Sequence, residues 1–105
     1  IKPHRVDDVK DALRAIGVKG IPLAEVKGFG RQGGHSETYR GAEYTVEFTP
    51  KMKVEVIVDE ADAASVTETI QTTASTGQIG DGKIWVTPVE GIVRIRTGEQ
   101  GKDAI

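Results

Sequence analysis

The sequence predicts an α+β domain with a split βαβ arrangement, from three observations. Apolar residues recur with helical spacing in residues 6–16 and again in residues 60–75. Apolar residues stand at every second position from Met52 to Val58, as in a half-buried strand, and the residues between them are polar except Ile57. A long polar segment, residues 30–43, precedes that strand. The predicted order is strand, helix, strand, long loop, strand, helix, strand, which is the ferredoxin-like order βαββαβ.

The first half of the chain supplies three of these elements and the loop. Residues 1–3 are read as the end of a first strand truncated at its N-terminus. The first helix places its apolar residues on one face and is followed by Gly17, a typical C-terminal stop. A strand is predicted over residues 21–26. Residues 30–43 show no hydrophobic period, and a loop of that length in a small domain is usually functional.

The second half supplies the remaining strands and helix. Tyr44, Val46 and Phe48 extend the 52–58 strand upstream. The helix over residues 60–75 carries its apolar residues on one face (Ala63, Val66, Ile70 and Ala74). Two short strands are predicted at residues 83–89 and 92–96. We expect a single domain covering residues 1–105.

Composition excludes several classes of protein. The chain has 14 Lys+Arg against 16 Asp+Glu, a net charge of −2, so we predict no nucleic-acid partner. The absence of cysteine excludes disulfides and Cys-ligated metals. No apolar run approaches the roughly 20 residues that span a bilayer, so we predict no membrane insertion.

Two glycine motifs resemble phosphate-binding signatures but lack their structural context. Residues 28–33 spell G-x-G-x-x-G, yet no helix follows to receive a dinucleotide pyrophosphate. Residues 77–83 spell G-x-x-x-x-G-K, but Ile84 occupies the Ser/Thr position of a P-loop. A glycine-rich turn can still hold an anion through consecutive backbone N–H groups, with Lys83 adding charge.

Arg94 and Arg96 are a second candidate for anion binding. On a strand, residues two apart share one face at a separation of about 7 Å. Two guanidinium groups so placed suit a polyphosphate or carboxylates. The alternative is that both arginines are solvated or pair with surface carboxylates, and the spacing alone leaves both possibilities open.

Four sequence runs resemble one family, the PII nitrogen-regulatory signal proteins. They are KGFGRQ (27–32), YRGAEY (39–44), TGQIGDGKI (76–84) and RIRTGE (94–99). The resemblance implies a homotrimer of ferredoxin-like subunits that binds ATP or ADP in clefts between neighbours. With Mg²⁺ and ATP it would also bind 2-oxoglutarate. It implies a cytoplasmic regulator, recruited to a membrane through a transporter, that acts by protein contact and is not an enzyme.

The resemblance also implies roles for individual residues. It assigns to nucleotide binding the residues Gly28, Arg31, Glu55, Ile57, Gly80, Asp81, Gly82, Lys83, Arg94 and Arg96. It assigns to 2-oxoglutarate the residues Gln32, Gly33, Gly34, Lys51 and Gly80. Gln32 would in addition ligate Mg²⁺ through its side-chain oxygen, in keeping with the oxygen ligands that this ion prefers.

The long loop is the output element implied by the resemblance. Residues 30–48 would be a mobile partner-binding loop that docks on ammonium channels, nitrogen-regulatory kinases or nucleotidylyltransferases. Tyr44 matches the tyrosine that many bacteria uridylylate or adenylylate. Arg40 resembles the loop arginine that plugs an ammonium channel.

Two alternatives to this function stay open at the level of sequence. The chain could be a divergent PII-like sensor of another small anion, which Gly33 and Pro22 favour because they depart from the family pattern. It could also be a small phosphohydrolase that uses Arg94 and Lys83 to bind substrate. Asp81 would then be the only candidate base near the phosphate loop.

Overall fold

The buried core lies between two helices, α1 (Val6–Ala15) and α2 (Ala63–Ala74), in a computed structural model of the chain. The structure describes residues 1–29, 35–39, 42–46 and 48–105, with the backbone alone for 35–39 and 42–46. The buried apolar side chains of the described residues all come from the two helices: Val9, Leu13, Val66, Ile70 and Ala74. Partly buried residues from the N-terminus, the α1–β1 connection and β4 and its continuation pack against them: Ile1, Val18, Ile21, Val54, Val56 and Val58.

Helix α1 begins and ends where the sequence predicts. A 3₁₀ turn, Pro3–Arg5, leads into it, with proline at a position that lacks an intrahelical partner. At its end Gly17 has φ of +95°. The Gly17 N–H donates to the Arg14 carbonyl at 3.0 Å, and the Val18 N–H donates to the Leu13 carbonyl at 3.0 Å. This is a Schellman end, in which a left-handed glycine satisfies the last carbonyls.

Helix α2 buries the predicted face despite a sequence rich in threonine. The Asp59 side chain accepts a hydrogen bond from the Ala61 N–H in the 3₁₀ turn Glu60–Asp62 that precedes the helix. The Thr67 hydroxyl donates a hydrogen bond to the Ala63 carbonyl at 2.8 Å. Thr69 donates in the same way to the Ser65 carbonyl at 2.8 Å, so both hydroxyls are satisfied within the helix.

The main sheet is an antiparallel ladder of β1 (Leu23–Gly28) and β4 (Thr49–Val54). Leu23 pairs with Val54 at one end and Gly28 with Thr49 at the other. The strand predicted at 21–26 is therefore confirmed, with bounds about two residues later. Of the strand predicted at 52–58, residues 52–54 are formed as the end of β4, and residues 55–58 continue outside the ladder. Ile1 also exchanges backbone hydrogen bonds with Met52, at 2.8 and 2.9 Å. This pairing agrees with the reading of residues 1–3 as the end of a strand.

A second ladder spans the end of the predicted loop and the residues beyond it. Tyr44 and Val46, predicted to extend the 52–58 strand upstream, belong instead to a separate strand. β2 (His35–Tyr39) pairs with β3 (Ala42–Val46) in an antiparallel register from His35↔Val46 to Tyr39↔Ala42. The sequence did not indicate β2 because HSETY is polar at nearly every position. A strand without one apolar face gives no alternating pattern to detect.

Two aromatic rings meet where this segment leaves and rejoins the main sheet. The Phe29 and Phe48 ring centroids lie 6.2 Å apart with planes tilted by 59°. They flank the last pair of the β1–β4 ladder, Gly28↔Thr49. Tilted aromatic pairs at this separation contribute about 0.5–1.5 kcal/mol beyond their buried area. The two ends of the segment are thus held next to each other.

The two strands predicted after α2 are not formed. Residues 83–89 and 92–96 carry no strand, and Val93 and Gln100 form an isolated antiparallel bridge. Within that bridge the Arg94 N–H donates to the Glu99 carbonyl at 2.9 Å, so the chain turns back where an extended strand was expected. A strand requires a neighbour for its backbone groups. In the split βαβ order that neighbour is the first strand, and in the described part of the chain no strand pairs with residues 83–89 or 92–96.

The helices and antiparallel ladders together are compatible with the predicted α+β class. A short 3₁₀ helix, Gly101–Ala104, ends the chain. In the part of the chain that the structure describes, no helix is long and apolar enough to span a membrane.

Truncation of the central core side chain should destabilise the domain strongly. Leu13 is fully buried, so Leu13→Ala removes methyl groups and leaves a cavity between the helices. We expect the free energy of unfolding to fall by about 2–5 kcal/mol, measured by urea denaturation. Asp11→Ala, on the exposed face of the same helix, should change it by less than about 0.5 kcal/mol. Equal effects of the two substitutions would contradict the core described here.

Candidate functional site

The glycine-rich segment after α2 forms a tight loop. Gly77, Gly80 and Gly82 all have positive φ, at +79°, +97° and +103°. This backbone conformation is strained for residues with a side chain and accessible to glycine. A Cβ added at Gly82 would also lie 3.3 Å from the Ile1 nitrogen. The clustering of glycine in the sequence therefore reflects a real backbone requirement.

A lysine from the main sheet docks on this loop. The Lys51 ammonium group donates a hydrogen bond to the Gly80 carbonyl. The stem of Lys51 passes over Gly28, where an added Cβ would lie 3.0 Å from Lys51 Cγ. Gly28 thus makes room for the lysine. Three residues that the sequence assigns to the site, from three separate segments, are brought into one contact group.

Asp81 lies at the centre of the loop and binds the loop itself. Its carboxylate accepts hydrogen bonds from the Thr76 N–H at 2.8 Å and the Gly77 N–H at 3.1 Å. The Thr76 hydroxyl also donates to it, and the Lys2 ammonium lies 3.3 Å away. The Lys2 ammonium donates a further hydrogen bond to the Thr76 hydroxyl oxygen at 3.0 Å.

These donors hold the pKa of Asp81 well below its usual range, with the Thr76 hydroxyl the largest cause and the Thr76 N–H the next. A carboxyl group whose pKa is lowered on folding stabilises the folded state above its ordinary pKa of about 3.9. That contribution is lost as the pH falls below this value towards the lower pKa of the folded state. At neutral pH the group is a carboxylate whose hydrogen-bonding capacity is used by the loop.

A separate cleft of about 480 Å³ lies beyond the other end of β4. Glu55 and Ile57 both line it, together with Pro22 from the connection between α1 and β1. The Glu55 N–H donates to the Pro22 carbonyl at 3.0 Å, which fixes these two walls against each other.

An ion pair lies at the edge of this cleft. Lys102 and Asp59 are 3.0 Å apart, and both line the cleft. The hydrogen bond from the Ala61 N–H and then the one from Lys102 lower the pKa of Asp59, while Asp59 raises the pKa of Lys102. The pair ties the C-terminal 3₁₀ helix to the turn before α2.

The two arginines do not share a strand face as predicted. Arg94 lies at the start of the turn between Val93 and Gln100, and Arg96 lies within it. The Arg94 guanidinium pairs with Glu99 at 3.3 Å and donates to the Ile105 carbonyl at 3.0 Å. The spacing argument was therefore wrong, because it assumed an extended backbone where the chain turns back.

Several predicted site residues lie outside the described part of the chain. They are Arg31, Gln32, Gly33, Gly34 and Arg40. Tyr44 has a described backbone in β3, where it pairs with Glu37, and its side chain is not described. Lys83 is exposed at the end of the glycine loop.

The site residues of one chain thus form two groups. Gly28, Lys51 and residues 80–82 make up the first group, at the glycine loop. Glu55 and Ile57 belong to the second group, at the cleft. Among the described residues that line the cleft, none comes from the glycine loop.

Lys2 and Thr76 are site residues that sequence reasoning missed. Thr76 stands at the head of the glycine motif, five residues before Asp81, a spacing that allows a side chain to close a turn. Lys2 gives no such signal, because its contact with Asp81 joins positions 79 residues apart.

Comparison with known proteins shows the family of the chain. The family model described as "Nitrogen regulatory protein P-II" matches residues 1–99. The chain belongs to the nitrogen regulatory protein P-II family. A P-II protein of Azospirillum brasilense is 60% identical over 105 residues, covering 100% of this chain and 94% of the relative. P-II proteins of Rhizobium meliloti (strain 1021) and Pasteurella multocida (strain Pm70) are 58% and 53% identical over the same shares.

Membership of the P-II family gives the chain a role in nitrogen-regulatory signal transduction and a ferredoxin-like α+β fold. Regulators of the P-II family are generally signalling proteins that are not enzymes. They bind regulatory small molecules and act on protein partners. The described residues contain no group of three or more His, Cys, Asp or Glu side chains that could hold a metal ion.

The contact between Gly28 and Lys51 can be tested by adding a methyl group. Gly28→Ala should displace the Lys51 stem and weaken its bond to Gly80, lowering the free energy of unfolding by about 1 kcal/mol. Gly91→Ala is the matched control, because a Cβ there meets nothing within 4 Å and φ is not positive. It should be neutral or stabilise by up to about 1 kcal/mol. Urea denaturation of both variants measures the difference, and a stabilised Gly28→Ala variant would contradict the contact.

Proposed function

We propose that this P-II chain is a sensor that binds ATP or ADP, and 2-oxoglutarate in the presence of Mg²⁺ and ATP. The observation that supports this most directly is the contact group of Gly28, Lys51 and Gly80. The family resemblance assigns Gly28 to the nucleotide site and Lys51 to the 2-oxoglutarate site. It assigns Gly80 to both sites. Their meeting in one place is what a site linking the two ligands requires.

The chemistry of the glycine loop fits an anionic ligand. Backbone at left-handed glycines can bring consecutive N–H groups to one side, which favours phosphate. Lys51 adds a positive charge at Gly80, and Lys83 is exposed at the loop's end. Among the described residues neither lysine has a carboxylate partner, so both can serve an incoming phosphate or carboxylate group.

The cleft fits the remaining part of a nucleotide. Its volume of about 480 Å³ lies within the range of roughly 300–1,000 Å³ typical of small-molecule sites. Ile57 offers an apolar surface to a base, and Glu55 a carboxylate that can accept hydrogen bonds from a ribose. Arg94 and Arg96 follow Ile92, which also lines the cleft, and would supply charge at its edge.

We propose that the complete site forms between subunits of a homotrimer. The glycine-loop group and the cleft group are separate on one chain, so a neighbouring subunit would bring one against the other. The segment after the glycine loop supports assembly, because its apolar side chains are exposed: Trp85 by 72%, Val86 by 65% and Val89 by 54%. Contiguous exposed apolar residues mark interaction surfaces.

Mg²⁺ would be held by Gln32 together with phosphate oxygens of ATP. The amide oxygen of glutamine is a suitable ligand for this hard cation, which usually takes few protein ligands. The ion supplies charge neutralisation between phosphate and the 2-oxoglutarate carboxylates. Gly33 and Gly34 would allow the backbone to follow the effector closely.

Residues 30–48 are proposed to be the mobile segment that partner proteins recognise, within a single domain of residues 1–105. Each ligand would stabilise a different conformation of this segment, so that partners read the bound state. Arg40 would enter an ammonium channel, and Tyr44 would accept a nucleotidyl group from a modifying enzyme. A nitrogen-regulatory kinase is a further candidate partner. The regulator itself would act in the cytoplasm and at the membrane through such a channel, without catalysis.

The alternative of a phosphohydrolase is not favoured by the loop. Its candidate base, Asp81, is engaged by Thr76, Gly77 and Lys2 and has a lowered pKa. A general base needs a pKa near the working pH. The other alternative, a sensor of a different small anion, would differ from the proposed sensor only in its ligand. Calorimetry with 2-oxoglutarate distinguishes these two sensors.

Calorimetry with two variants tests the linked ligands. The wild-type protein should bind 2-oxoglutarate when Mg²⁺ and ATP are both present and not otherwise. Gln32→Ala should leave ADP binding unchanged and abolish the Mg-dependent binding of 2-oxoglutarate. Arg96→Ala should weaken ATP and ADP alike, by roughly tenfold for one lost charge-assisted contact. Normal 2-oxoglutarate binding by Gln32→Ala would remove Mg²⁺ ligation from the proposal.

Sedimentation and fluorescence test the trimer. The subunit mass is 11.3 kDa, and we expect a particle of three subunits. Trp85, the single tryptophan, should emit at shorter wavelength than an exposed indole because assembly covers it. Trp85→Lys should shift the protein towards monomer, whereas the matched change Asp11→Lys on α1 should not. A monomeric wild-type protein would contradict the proposal.

A further inference from the structure

The Asp81 carboxylate is surrounded by donors from Thr76, Gly77 and Lys2. One oxygen, Oδ2, accepts from the Thr76 and Gly77 N–H groups at 2.8 and 3.1 Å. The other, Oδ1, accepts from the Thr76 hydroxyl and lies 3.3 Å from the Lys2 ammonium. An ionised carboxylate offers about four acceptor positions, so these donors occupy its capacity.

The position of Asp81 in the loop gives these contacts a purpose. It stands between Gly80 and Gly82, the two glycines with the largest positive φ in the loop. Glycine backbone has many accessible conformations, and fixing it has a high entropic cost. A side chain anchored to the start of the loop limits the glycines on either side to one arrangement. The same anchor holds the Gly80 carbonyl where the Lys51 ammonium binds it.

We propose that Asp81 is a positioning residue that contacts no ligand and closes the loop from Thr76, so that Gly80 and Gly82 are held ready for a phosphate group. Thr76 and Lys2 belong to the same closing network. The identity of the ligand as a nucleoside phosphate rests on the function proposed above. The anchoring of the glycine loop by Asp81 is independent of that function.

This role differs from direct ligand binding in what neighbouring substitutions should do. If Asp81 bound Mg²⁺, its loss would weaken Mg-ATP and spare ADP measured without metal. If it contacted the nucleotide, removing the Thr76 hydroxyl would have little effect. If it closes the loop, Asp81 and Thr76 act as one unit, and their substitutions should not add.

The experiment uses the full chain and a set of conservative variants. Asp81→Asn keeps the size and removes the charge. Thr76→Val removes the hydroxyl donor, while Thr76→Ser keeps it, and Asp81→Asn/Thr76→Val is the double variant. Asp8→Asn is the matched control, because it removes another carboxylate that pairs with a basic residue of the N-terminal turn, Arg5, at 3.0 Å. The measurements are calorimetry with ADP lacking metal and with Mg-ATP, and hydrogen exchange of the unliganded loop.

We expect Asp81→Asn and Thr76→Val each to weaken ADP and Mg-ATP by a similar factor of roughly tenfold. The double variant should bind no worse than the weaker single variant. Thr76→Ser should restore binding to within about threefold of wild type. Amide exchange over residues 76–83 should be roughly tenfold faster in Asp81→Asn and Thr76→Val, and unchanged in Asp8→Asn.

Three results would overturn the inference. One is unchanged exchange over residues 76–83 in Asp81→Asn. Another is normal nucleotide binding by Thr76→Val together with a large loss of nucleotide affinity in Asp81→Asn. The third is a loss confined to Mg-ATP. If the wild-type protein binds neither nucleotide, the proposed function fails by itself, and the exchange measurement alone decides whether Asp81 closes the loop.

Discussion

The register of the β1–β4 ladder is the constraint on which the site depends. Gly28 opposite Thr49 sets Lys51 on the face where its stem crosses the glycine and its ammonium meets Gly80. Side chains alternate along a strand, so a shift of one residue would turn Lys51 to the opposite face. The same strand leads, six residues later, to Ile57 in the cleft. One ladder therefore positions both groups of site residues.

Local pattern was sufficient to predict the two helices and their buried faces. Leu13 and Ile70 fall on apolar stripes with helical spacing, and Gly17 ends α1 with the φ that favours glycine. Each of these features depends on residues within one or two turns of one another. The strand β4 was predicted only in part, because Met52 and Val54 belong to the apolar pattern but that pattern did not mark the start of the strand at Thr49. The glycine loop was located from its composition, although its internal contacts were not.

The parts that sequence could not predict depend on distant partners. Arg94 was placed on a strand, but a strand forms only beside a neighbour, and here the chain turns back to Gln100. The polar strand β2 gave no signal because it has no apolar face. Lys2 reaches Asp81 across nearly the whole chain. The family motifs drew attention to Asp81 but did not predict its hydrogen bonds with Thr76 and Gly77.

The contact between Phe29 and Phe48 makes the stability of the main sheet nearly independent of the length of the segment between them. Because both ends of the intervening segment are held together at the sheet, its length affects stability only logarithmically, by about 0.6 kcal/mol for a doubling. A change in the length of this segment should therefore leave the Gly28↔Thr49 pairing in place, and with it the contacts that Gly28 and Lys51 make.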